Sequence, residues 1–332
     1  MHMSDALISP EVAGVMGAVT TIALGYCVYK TKDNLEENKI PLMGVMGAFV
    51  FCAQMINFTI PGTGSSGHIG GGLILASVLG SVPSFLVLAT VIAIQALFFA
   101  DGGILALGCN IFNMGFYSCL IFYPLIFKNM LKNNVSKKKI IAASIITSII
   151  GLQFGAFSVV LETLLSGRTE IPFSLFTLLM QPIHLAIGIG EGIITGAVLC
   201  YIYSIKSEVL DFISEDRISE KINMKKIIIS MLIFTAIVGG GISLCSSEYP
   251  DGLEWSIENI TSEELTAEGY AYKVSDDIQD KSSFMPDYNF KNSSDSKIGT
   301  SVAGLTGGVI TLIIALIIGK VISKVRKINK KV

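Results

Sequence analysis

From Ile227 to Cys245 the chain runs without one charged residue, and from Phe173 to Ile205 it carries only Glu191. Leu107–Phe127 has none, and Ile140–Leu165 has only Glu162. A crossing helix needs about 20 apolar residues, and a chain in lipid must satisfy its backbone polar groups internally. Runs of this length therefore restrict the fold to an all-α, polytopic membrane protein. Composition agrees: 15% of the residues are charged, against about 25% in typical soluble domains, and mean hydropathy is +0.65.

The pattern predicts nine apolar spans, at about 10–29, 41–58, 68–82, 83–100, 107–127, 140–165, 173–205, 227–245 and 302–321. Lysine and arginine give their orientation. The connections 30–39, 128–139 and 206–226 and the tail 324–331 are basic and belong on the cytoplasmic side. The connection 59–67 has no basic residue, and 164–170 has only Arg168. The N-terminus then faces outward, on the same side as the loop that holds His68, and the C-terminus is cytoplasmic. The expected division is 1–206 as a seven-helix membrane unit, 207–226 as a cytoplasmic linker, and 227–332 as a two-helix unit with an external loop over 246–298. The first unit is expected to be complete without the last two spans. The six cysteines form no C-x-x-C pair and are expected to be buried packing residues.

The stretch Pro61–Gly72 is rich in glycine and contains His68, one of three histidines. Gly62 and Gly67 have the spacing of a phosphate loop, but His68 and Ile69 stand where its lysine and hydroxyl would be, which excludes nucleotide binding there. The N-terminus has no basic segment before its apolar run, so no cleaved leader is expected. Met1 is expected to stay, because His2 is not small. An N-terminal amine, the amide of residue 2 and the His2 imidazole can chelate one ion through fused rings, and His68 can add a fourth nitrogen. Four planar nitrogens suit Ni2+ or Cu2+ and fit zinc or magnesium badly. Met1, His2 and His68 are therefore the candidate metal ligands.

His184 and Glu191 are seven residues apart and share one helix face. Ionisable groups inside a membrane are costly and usually functional. The pair reads either as support for the metal path or as an internal hydrogen-bonded packing pair. Asp101 and Asn110 are further candidates to line the pocket, while Asn113 reads as helix–helix glue.

Met1-His2, Ser66–Gly72, Phe98–Gly103, Cys109–Gly115 and His184–Glu191 together resemble the metal-specific substrate-capture subunits of energy-coupling factor transporters, the CbiM/NikM family. The resemblance spans about 1–206. It implies seven membrane helices, ligation by Met1, His2 and His68, Ni2+ or Co2+ as transported substrate, and separate membrane coupling and ATP-binding subunits as partners. Pro250–Ser256 and Pro286–Tyr288 resemble the small companion subunit, CbiN/NikN, fused to the same chain. Its external loop carries twelve Asp and Glu between Glu248 and Asp295 against three Lys. No ATP-binding motif is present, and nothing points to nucleic acid; lipid is the other expected contact. The loop sequence favours nickel, with cobalt as runner-up. A stand-alone secondary nickel/cobalt permease is the alternative, although the chain lacks the His-x4-Asp-His helix of that class. An integral-membrane metalloenzyme would need an open metal position and a general base.

Overall fold

The computed structural model describes residues 2–35, 37–168, 170–211, 224–261, 265–291 and 297–329. Helix α1, Pro10–Asn34, starts where Ser9 Oγ accepts the Val12 amide and Pro10 takes the first helical position, a residue with no amide to leave unsatisfied. It exposes most of its apolar surface, as a lipid-facing helix does. Helix α2, Ile40–Gln54, is buried along almost its whole length. A hairpin of β1 (Phe58–Ile60) and β2 (Ser65–Gly67) follows, antiparallel, with Phe58 opposite Gly67. Gly62 and Gly64 turn it at φ of 78° and 74°, values that glycine adopts without penalty. Then come α3 (Gly72–Leu79), α4 (Ser81–Phe99), α5 (Leu107–Leu131), α6 (Lys137–Ser166) and α7 (Phe173–Lys206). Within α5, Phe112–Lys128 winds as a π-helix. The second part holds α8 (Met224–Gly240), α9 (Gly252–Glu258), α10 (Tyr270–Ser282) and α11 (Lys297–Asn329).

Among the described residues, seven helices are long and apolar enough to cross a membrane. The stretch predicted as a span from His68 to Val82 is helical only from Gly72 to Leu79. At 1.5 Å per residue α3 rises about 12 Å, less than half of α4 beside it. The segment before α3 is therefore recessed into the bundle: Cys119 Sγ, midway along α5, donates to the Gly72 carbonyl.

Close helix packing follows from small residues at helical spacing. Gly188, Gly192 and Gly196 of α7 lie against the backbones of Ile149, Ile145 and Ile141 of α6. Gly44 and Gly47 of α2 face Leu316 and Thr311 of α11, and Gly239 of α8 meets Gly304 of α11. Helix α2 of the first unit thus packs directly on α11 of the second. Of the cysteines, Cys27, Cys52, Cys109 and Cys119 are buried as expected, whereas Cys245 is exposed in the turn after α8.

Candidate metal centre

The N-terminal segment is held like an edge strand. Met3 N–H donates to Asn110 Oδ1 at 2.7 Å, and Asn110 Nδ2 donates to Met3 O at 3.1 Å. Gly103 N–H donates to the same carbonyl. Asp5 accepts the Ala106 amide and the Ser275 hydroxyl. Asn110 thus serves the site by fixing backbone, one residue away from His2. Met1 lies outside the described residues.

This clamp sets the His2 ring over the His68 ring, with centroids 5.2 Å apart and planes 12° from parallel. His2 Nδ1 lies 3.1 Å from Asp101 Oδ1, and its buried Nε2 has no hydrogen-bond partner. Asp101 Oδ2 also accepts Tyr288 Oη–H at 2.5 Å. Burial pushes the Asp101 carboxyl up, but the His2 imidazole and the Tyr288 hydroxyl outweigh it and hold the group below its ordinary range. Asp101 is an ionised acceptor there.

The His68 loop is fastened from three sides. Gly70 N–H and Gly71 N–H each donate to one oxygen of Glu191 at 3.0 Å. Gln54 Nε2 donates to Gly70 O at 2.8 Å. Ser66 donates from its amide to Pro250 O at 2.8 Å and from its hydroxyl to Tyr249 O at 2.7 Å. Gly71 sits at φ 75°, with Val50 where a Cβ would stand, so no other residue fits. His68 Nδ1 is 3.1 Å from Ile69 O. A carbonyl only accepts, so Nδ1 carries the proton and Nε2 the lone pair. His68 Nε2 stands 4.0 Å from Asp251 Oδ2. Burial, with the neighbouring His2 adding to it, pushes the His68 pKa down to about 3. A neutral imidazole is the form that binds a metal.

His184 and Glu191 share α7 but take different partners. Glu191 holds the glycine loop, and His184 Nδ1 donates to Met180 O at 2.8 Å within its own helix. His184 lines a cavity of about 10 Å3 together with His68, Met114, Asp251 and Gly252.

Outside this core lies a vestibule of about 550 Å3, lined by His2 and by the carboxylates of Asp5, Asp101, Asp251, Glu254, Asp276 and Asp287. Walls of one sign concentrate the opposite ion. Burial raises Asp251 and the nearby His68 lowers it, with the net result below the ordinary carboxylate range. Burial, and then the charge of Asp251, raises Glu254. The individual contributions of Asp251 and Tyr288 were not legible as site residues; their only signal was the motifs Pro250–Ser256 and Pro286–Tyr288.

Among the described residues, no three His, Cys, Asp or Glu side chains gather as a ready metal cluster. What the geometry brings together is two stacked imidazoles, the backbone of Met3 clamped beside them, and an acidic approach.

Comparison with known proteins agrees with this architecture. A relative from Archaeoglobus fulgidus, described as a putative fused nickel transport protein NikMN, is 28% identical over 314 residues, covering 95% of this chain and 96% of that protein. A putative metal transport protein of Haloquadratum walsbyi is 33% identical over 210 residues, covering 63% of this chain and 93% of its own length. The fold resembles the crystal structure of a transition metal transporter, with a TM-score of 0.55 and 30% identity over 63% of this chain and 95% of the other. The PDGLE domain model matches residues 225–324. The model of the CbiM family, described as the cobalt uptake substrate-specific transmembrane region, matches residues 2–209, and the chain belongs to that family.

Proposed function

We propose that this chain is the metal-capture membrane component of an energy-coupling factor transporter, with Ni2+ as its favoured substrate and Co2+ as runner-up. It is a transport component and not an enzyme, and ATP hydrolysis belongs to separate subunits joined through a membrane coupling subunit. Residues 1–206 form the capture unit, 207–226 the linker and 227–332 the fused companion.

The observation that carries this reading is the stacking of His2 on His68 beside the N-terminal segment that Asn110 clamps. Met1 and His2 supply the amine, the amide and the imidazole, and His68 supplies the fourth nitrogen. A deprotonated amide ligand favours ions high in the Irving–Williams order, and a nitrogen plane favours Ni2+. Stacked rings keep their nitrogen lone pairs in nearly parallel planes. Joint ligation therefore requires one ring to turn, and His2 is the one held by an exchangeable contact, Asp101.

The acidic vestibule supports a cation substrate, and the external loop supports a role for the companion in closing the site. The basic connections support a cytoplasmic C-terminus. A stand-alone permease is disfavoured by the missing His-x4-Asp-His helix.

The test is metal analysis of full-length protein with a free N-terminus, offered Ni2+ and Co2+ in competition. One equivalent of nickel with the visible spectrum of a diamagnetic square-planar complex is expected. Full-affinity nickel binding by a chain with an intact N-terminal extension removes Met1 and His2 as ligands. Robust ATP-independent uptake by the chain alone in liposomes overturns the energy-coupling factor assignment in favour of the permease.

A further inference from the structure

Between α7, the last helix of the first unit, and α8, the first of the second, lies a groove of about 450 Å3. Tyr201 of α7 forms one side. Ile229, Ile233 and Ile237 of α8 form the other, and each is more than half exposed. Their spacing of four residues puts them in one row along the helix. Phe234 closes the base and is fixed there by stacking on Phe49 of α2, with centroids 5.5 Å apart.

The polar groups of the groove are gathered at one end. Lys226, exposed, stands at the mouth. One helical turn further in, Ser230 Oγ lies 2.8 Å from Tyr201 Oη. Beyond that pair the α8 wall is aliphatic. From Lys226 to Ile237 the helix advances about 16 Å, which is about half of a hydrocarbon core of about 30 Å. The groove therefore changes from cationic to hydroxylic to apolar over the depth of one leaflet.

That sequence of chemistries is the sequence along a phospholipid: phosphate, ester, acyl chain. We infer that the groove seats one anionic phospholipid, with its phosphate at Lys226, an ester carbonyl at the Tyr201–Ser230 hydroxyls and an acyl chain along the isoleucine row. Basic pockets between membrane helices on the cytoplasmic side recognise anionic head groups. A protein helix fits the groove less well. The close helix seams of this chain are built on glycine, as at Gly188, Gly192 and Gly196, whereas this row is isoleucine, which holds a backbone off and leaves room for a flexible chain. The lipid then fills the seam between the two units of the polypeptide. Its placement in the cytoplasmic leaflet rests on the orientation read from the basic connections; the groove and the lipid class do not.

The test uses the full-length chain in detergent, titrated with phosphatidylglycerol or with phosphatidylcholine of the same acyl chains, and counts bound lipid by native mass spectrometry. One tightly retained phosphatidylglycerol is expected, held about fivefold more strongly than phosphatidylcholine. Lys226→Gln should bring the two lipids within about twofold of each other. Ile233→Trp keeps the lysine and fills the groove, and it should lose the retained lipid whichever head group is offered. Melting curves of each variant verify folding. Equal retention of the two lipids by the unaltered chain overturns the anionic assignment, and retention unchanged in Ile233→Trp overturns the groove as the seat. A dimer mass in place of bound lipid, lost in Ile233→Trp, gives the groove to a second copy of the chain instead. Labelling of Ser136→Cys from outside intact cells overturns the leaflet and leaves the lipid count in detergent to decide the rest.

Discussion

Tyr288 of the companion part donates to Asp101 at 2.5 Å, and Asp101 in turn stands 3.1 Å from His2 Nδ1. The nitrogen that an N-terminal chelate needs is thus engaged by a carboxylate that a second element also holds. Tyr288→Phe removes only the hydroxyl. The whole acceptor capacity of Asp101 then falls on His2, and an incoming ion must displace a stronger contact. Hydrogen bonds to charged groups contribute about 1.5–3 kcal/mol. Nickel affinity is expected to fall about tenfold, with the planar spectrum unchanged at saturation. An unchanged dissociation constant in competition titration would separate Tyr288 from the site.

Glu191 fixes the loop that aims His68. Glu191→Gln presents an amide N–H to one of two glycine N–H donors, which removes one hydrogen bond and opposes two donors. A loss of about 2 kcal/mol in loop order corresponds to about thirtyfold weaker nickel binding. Glu191→Gln with wild-type affinity would show that the loop is held by Gln54 and Ser66 instead.

Asn110 acts on the chelate through the backbone of Met3. Asn110→Ala leaves the Met3 amide without its partner, at a cost of about 1–3 kcal/mol. Binding should weaken between about fivefold and a hundredfold, measured by nickel retention on desalting. His2→Ala and His68→Ala should each abolish most binding, and the double variant should add little, since both disrupt one plane.

Acid should loosen the His68 loop. The folded His68 pKa is about 3, below the free value of 6.5. Between these pH values an unfolded chain takes up a proton that the folded chain refuses, so stability present above about pH 6.5 is lost as pH falls. Metal-free protein should melt at lower temperature from pH 7 to pH 4.5, and His68→Ala should flatten that dependence. Identical slopes in both proteins would count against a buried neutral His68.

The orientation rests on the basic connections. Ser136→Cys, before α6, should resist impermeant labelling from outside intact cells, and Tyr270→Cys, 86% exposed at the start of α10, should react. The reverse pattern inverts the topology.

The long helices were readable because apolar runs leave a chain in lipid one backbone solution. The short α3 was not: His68–Gly72 runs straight into the apolar stretch that follows, and the contacts from Glu191, Gln54 and Ser66 with the left-handed Gly71 keep it out of the helix. His2, His68 and Asp101 could be singled out because their residue types carry metal chemistry wherever they sit. Tyr288 and Asp251 could not, because their meaning depends on a companion segment folding back across some 180 residues of chain. His184 was legible as unusual, and the pattern alone could not choose between packing and ion passage; in the fold its Nδ1 donates to Met180 O within its own helix.

The seam between Ser66 and the Tyr249–Pro250 carbonyls joins two segments of one polypeptide. Closing it is therefore an intramolecular event, governed by a local concentration that is typically millimolar for tethered partners. Dilution, or a shortfall in the synthesis of a separate subunit, has no hold on it. Opening that seam is a rearrangement within one chain, resisted by a handful of hydrogen bonds.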